Sequence, residues 1–138
     1  MKTKLRSFAL TNFCTVSVEI GTNDLCSCYP DTVAHDILSL VTYLRDRGLR
    51  NIVVGEILFR NKLSVSQPSV REFAKRVRVT NSQVKHALDA VSSPACFREH
   101  RDVSSPALLK SDGVHLNECG QSVYLRSVRA AFVVYTWH

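Results

Sequence analysis

The chain has 138 residues, 45% of them hydrophobic and 22% charged, the composition of one globular domain with a core of its own. Its 18 Lys and Arg outweigh 12 Asp and Glu, and the resulting charge of +6 permits contact with nucleic acid or an anionic surface without requiring it. No apolar run reaches the roughly 18 residues of a membrane span. The five cysteines (Cys14, Cys26, Cys28, Cys96 and Cys119) are odd in number and scattered, which argues against a disulfide framework and favours an intracellular, reducing compartment.

Residues 13–20 read as a buried strand, with Val16, Val18 and Ile20 on one face. Gly21-Thr22-Asn23-Asp24 then opens a loop. Asp31 is placed to cap a helix over 32–47, where Val33, Ile37, Leu40, Val41 and Leu44 recur at helical spacing and Gly48 supplies the stop. Residues 51–58 form a second buried strand, followed by a polar loop over 59–68. A long helix is predicted over 69–91, with Phe73, Val77, Val84, Leu88 and Val91 inward and a break at the weak helix formers Val79, Thr80 and Asn81. Residues 95–99 make a short third strand, and 101–111 a loop containing Pro106. Asn117 is placed to cap a last helix over 118–133, where Val123, Leu125, Val128, Ala131 and Phe132 are apolar. Alternating strands and helices predict an α/β fold with parallel pairing and right-handed crossovers. Ligands in such sheets bind at the C-terminal ends of the strands, the edge expected for both Asn23 and His115.

Two groups of residues carry chemistry. In Ser111-Asp112-Gly113-Val114-His115, a carboxylate three residues before an imidazole can accept from one ring nitrogen and leave the other as a general base. The plainer role for Asp112 is to cap its own turn through backbone amides. Asn23, at the end of a strand, can donate its side-chain amide to a developing oxyanion, or can simply form the turn. His35, His86, His100 and His138 have no comparable context and read as surface or incidental residues. Cys26-x-Cys28 is tighter than a zinc pair, no second pair follows it, and neither metal nor cofactor is expected. The basic residues are dispersed as solvated helix faces, without a nucleic-acid-binding motif.

Gly21-x-Asn23-Asp24 after a buried strand, and Asp112-x-x-His115-Leu116-Asn117 followed by Gly120 and Tyr124, resemble the third and fifth blocks of the SGNH (GDSL-type) hydrolases, over residues 16–133. The resemblance implies a three-layer α/β/α sandwich with a mainly parallel, flavodoxin-like sheet. It also implies ester or acyl hydrolysis through an acyl-serine without a metal, a small acyl ester as substrate, Asp112 and His115 as the base pair of a triad, and Asn23 as oxyanion donor. The family's Gly-Asp-Ser nucleophile block and the block with its backbone-amide glycine have no counterpart. Ser17, Ser27, Ser104, Ser105 and Ser111 all lack that context.

The expectation is therefore a single SGNH-like domain over 1–138, truncated of the N-terminal strands that bear the nucleophile and inactive alone. Its first strand would be an open edge prone to self-association, flanked at most by residues 4–10. The alternative is a non-catalytic binding module, holding nucleic acid through its basic surface or a protein partner through the sheet edge.

Overall fold

The computed structural model describes residues 15–91, 95–103 and 105–136, with side chains to residue 134. The predicted flank at 4–10, the first residues of strand one, Cys14, Ser104 and His138 lie outside the described residues. The elements run β1 (Thr15–Val18), α1 (Pro30–Asp46), β2 (Asn51–Gly55), α2 (Val70–Asp89), β3 (Ala95–Arg98) and α3 (Glu118–Thr136), with 3-10 turns at Asp24–Cys26 and Pro106–Leu108. The sheet order is β1-β2-β3, and both pairings are parallel, with Val16 opposite Ile52 and Val54 opposite Phe97. None of the described helices is long and apolar enough to cross a membrane.

The strands are short and apolar because helices cover both faces. Ile52 and Val54 point into one core with Val33, Ile37, Leu40, Leu44, Phe73, Val77 and Leu88 of α1 and α2. Val53, between them, alternates to the other face, where α3 packs and buries Ala131. Val91, predicted inward, lies past the end of α2 and is 54% exposed, and Leu125, one of the apolar residues of α3, is 51% exposed.

Four local expectations are corrected. The first helix begins at Pro30, whose ring pre-sets the first helical φ, and Tyr29 takes the cap position. Asp31 does not cap it; it lies in the first turn and accepts from Gln83 Nε2 at 2.5 Å. The second strand stops at Gly55 because the backbone of Ile57 turns away to Asn81, whose Oδ1 accepts from Ile57 N at 2.8 Å while its Nδ2 donates to Ile57 O at 3.1 Å. That pair also explains why α2 does not break at 79–81: Asn81 is committed to the loop after β2, and Thr80 is fully buried.

The fourth correction concerns His100, which is 0% exposed rather than on the surface. It follows β3, with its ring 4.8 Å from that of Tyr124, and bonds Glu19 and Ser127, partners 81 and 27 residues away. Gly55 lies under the Glu19 carboxylate, where any Cβ would collide with it. Burial alone would raise the Glu19 carboxyl, but hydrogen bonds from His100, Ser17 and Tyr124 outweigh it and hold the group below its ordinary value.

Asn81→Ala should cost about 1–3 kcal/mol in urea unfolding, because both backbone groups of Ile57 lose their partners. Thr80→Val, which replaces a buried hydroxyl that lacks a partner, should leave stability unchanged or higher in the same assay. A folded-state carboxyl below its unfolded value stabilises fully above that value and loses its contribution as pH falls through the lower one. Glu19→Gln should therefore flatten the acid limb of the stability curve below pH 4.5.

Candidate active site

Asn23 stands at the tip of the turn that leaves β1. Leu25, fully buried, anchors that turn, and Leu25 N donates back to Gly21 O at 3.1 Å. The Asn23 amide is held from below by Arg60, a residue from the loop after β2 that sequence reasoning passed over. Arg60 is only 8% exposed. Its Nε donates to Thr22 Oγ1 at 3.1 Å, its Nη1 to Cys26 Sγ at 3.5 Å, and its Nη2 to Asn23 Oδ1. A guanidinium can only donate, so it fixes the oxygen of Asn23 inward and leaves Nδ2 as the outward end, a donor. Among the described residues no carboxylate pairs with Arg60; its charge is spread over neutral acceptors and the Phe73 ring, 5.9 Å away. Nothing near Arg60 in the sequence marks it, because its partners lie 34 to 38 positions upstream.

Asp112 and His115 share one tight turn. Asp112 Oδ1 accepts from Val114 N at 2.9 Å and from His115 N at 3.0 Å, and Oδ2 accepts from His115 Nδ1 at 2.7 Å. Turn capping and imidazole orientation are thus done by the two oxygens of one carboxylate. The His115 ring bond, then the two backbone amides, holds the Asp112 carboxyl far below the usual carboxylate range. With its proton on Nδ1, neutral His115 presents a lone pair on Nε2, and its side chain is 72% exposed. The turn depends on Gly113, at φ +66°, where a Cβ would lie 2.9 Å from Lys62 N. It closes through Lys110 N to His115 O at 2.7 Å. Asn117 caps α3 as predicted, its Oδ1 accepting from Gly120 N at 2.9 Å, and its Nδ2 donates to Ala107 O at 2.8 Å.

The loop after β2 joins the two halves. Arg60 holds Asn23, Asn61 N donates to Gly113 O at 2.7 Å, and Lys62 Nζ donates to Ser111 O at 2.8 Å. Asn23 and His115 therefore lie at the same end of the sheet, the C-terminal ends of the parallel strands. No described serine hydrogen-bonds to His115. Ser17 donates to Glu19, Ser27 to Asp24 O, and Ser105 and Ser69 cap short turns or helices. Among the described residues no group of three or more His, Cys, Asp or Glu side chains could hold a metal ion.

No protein-family model matches the sequence, and no curated protein matches it significantly. Solved structures do match. A candidate acylhydrolase from Bacteroides fragilis superposes with a TM-score of 0.80 at 17% identity, over 96% of this chain and 68% of that one. The acetylxylan esterase Axe2 from Geobacillus stearothermophilus gives 0.67 at 19% identity, over 94% and 64%. An acetyl esterase mutant with a bound acetate ion gives 0.58 at 16% identity, over 95% and 68%. The fold is that of the SGNH-type hydrolases, as the sequence resemblance implied, and this chain spans about two thirds of the length of those neighbours.

Gly113→Ala should destabilise by about 1–3 kcal/mol, because the turn needs a left-handed residue pressed against Lys62. In Asp112→Ala, 15N NMR of neutral His115 should show the proton moving from Nδ1 toward Nε2. An unchanged tautomer would mean that Asp112 serves the turn alone.

Proposed function

We propose that this chain carries the base and oxyanion half of an SGNH-type acyl-ester hydrolase site, and that at this site it is inactive alone for want of a nucleophile. The observation that supports the reading is the oriented pair: Asp112 holds His115 at 2.7 Å with Nε2 free, at the sheet edge where Arg60 turns the Asn23 amide outward. In the reaction, His115 Nε2 takes the proton of a serine as its oxygen attacks the acyl carbon, then returns it to the leaving alcohol. Asp112 stabilises the imidazolium, and Asn23 Nδ2 donates to the oxyanion. Water, activated by the same nitrogen, releases the acid. The substrate class is a small acyl ester, and no step calls on a metal.

The test has two arms. For the chain alone, hydrolysis of 4-nitrophenyl acetate should be the same for wild type and His115→Ala. Joined to the nucleophile-bearing N-terminal segment of an esterase of this fold, the chain should gain turnover. That turnover should fall about 10²–10⁴-fold in His115→Ala and about 10²–10³-fold in Asn23→Ala. Turnover in the joined protein that ignores both substitutions would refute the assignment.

A further inference from the structure

A second set of groups has the connectivity of a nucleophile, a base and an orienting acid, on the other side of the sheet edge. Ser127 Oγ lies 2.9 Å from His100 Nδ1, and His100 Nε2 lies 3.1 Å from Glu19 Oε2. The acid fixes the tautomer: Nε2–H donates to the carboxylate, which leaves the Nδ1 lone pair facing the serine hydroxyl. His100 is fully buried, so it exchanges no proton with bulk water directly, while Ser127 lines a cavity of about 740 Å³. Glu19 is fixed as well, by Ser17 Oγ at 2.7 Å on its other oxygen.

The cavity wall carries four cationic side chains, Lys85, Arg98, Arg101 and Arg126, against two carboxylates, Glu99 and Asp102. Lys85 and Arg101 on its wall are neutralised by Glu99, at 2.6 Å and 3.6 Å. Arg98 and Arg126 are not: no acidic side chain among the described residues pairs with either, and Arg98 Nε is buried with no hydrogen-bond partner. A buried guanidinium nitrogen without an acceptor beside an open cavity is a group that a bound anion would satisfy.

We infer that Ser127 is an activated nucleophile, with His100 as its base and Glu19 as the residue positioning that base, and that it takes the acyl group of esters carrying a carboxylate. Ser127 Oγ attacks the acyl carbon as its proton passes to His100 Nδ1. The ester C–O bond breaks, the proton leaves with the departing alkoxide, and Ser127 is left acylated. Arg98 and Arg126 hold the carboxylate of the acyl chain. This site goes beyond the Asn23 and His115 reading and shares no residue with it, so either can fail alone.

The experiment is intact-mass and peptide-mapping mass spectrometry of the whole chain treated with mono-4-nitrophenyl glutarate, and separately with the neutral 4-nitrophenyl valerate. An adduct should form on Ser127, about tenfold faster with the glutarate, and should vanish in Ser127→Ala. Arg98→Gln should erase the preference between the two esters. Glu19→Gln should slow acylation about tenfold while leaving the half-saturating ester concentration unchanged, which mere loss of packing would not do. Circular dichroism is to check that each variant is folded. A folded wild type without an adduct on Ser127, or a Glu19→Gln variant reacting at the wild-type rate, would overturn the proposal. Equal rates with the two esters would overturn the assigned substrate class.

Discussion

Once β2 leaves the sheet at Gly55, its backbone groups must find partners outside the ladder, and the architecture of the candidate site follows from where they find them. Ile57 is met by the Asn81 side chain from α2, Leu58 O by Thr22 Oγ1 from the turn after β1, and Asn61 N by Gly113 O from the turn before α3. Three segments far apart in the chain are drawn to one place by the need to satisfy a single stretch of main chain. Arg60 and Lys62 sit on that same stretch and hold the turns that bear Asn23 and His115. The positions of the candidate site's side chains are thus consequences of backbone satisfaction, which costs more to violate than a surface contact is worth.

The Asp112 turn shows how structure and chemistry share atoms. A short turn before a helix needs an acceptor for its amides, and Oδ1 supplies it. That arrangement leaves Oδ2 pointing at the His115 ring, so the imidazole is oriented at no further conformational cost. Asn117 repeats the economy two residues on: it caps α3 with one end of its amide and ties the preceding loop with the other.

The elements were legible in the sequence because each obeys a local rule. The α1 residues Val33, Ile37, Leu40 and Leu44 follow the helical period, and β1 and β2 are rich in β-branched residues and are followed by or end in a glycine, Gly21 and Gly55. Asn23, Asp112 and His115 stood out because they lie in short strings of fixed spacing. What could not be read were contacts between distant positions. Thr80 and Asn81 look like a helix break because both favour local backbone bonds, yet burial of one and the long-range bridge of the other keep α2 whole. Arg60 went unnoticed and His100 read as a surface or incidental residue, since their partners lie tens of residues away and no local pattern announces them. The orienting half of the site was therefore hidden where its tip was visible.

The central proposal is that Asn23 and His115 face one common substrate position, Asn23 Nδ2 toward the oxyanion and His115 Nε2 toward the attacking hydroxyl, held there by the segment after β2. It is tested most directly by titrating the isotope-labelled chain with methylphosphonate, a small tetrahedral oxyanion, while recording the Asn23 side-chain amide and the His115 imidazole nitrogens. The account predicts that Asn23 Nδ2 and His115 Nε2 shift together along one saturation curve, and that the shift at Asn23 is lost when Arg60 is changed to Met. Separate curves for the two groups, or a response of His115 with Asn23 unmoved, would contradict it.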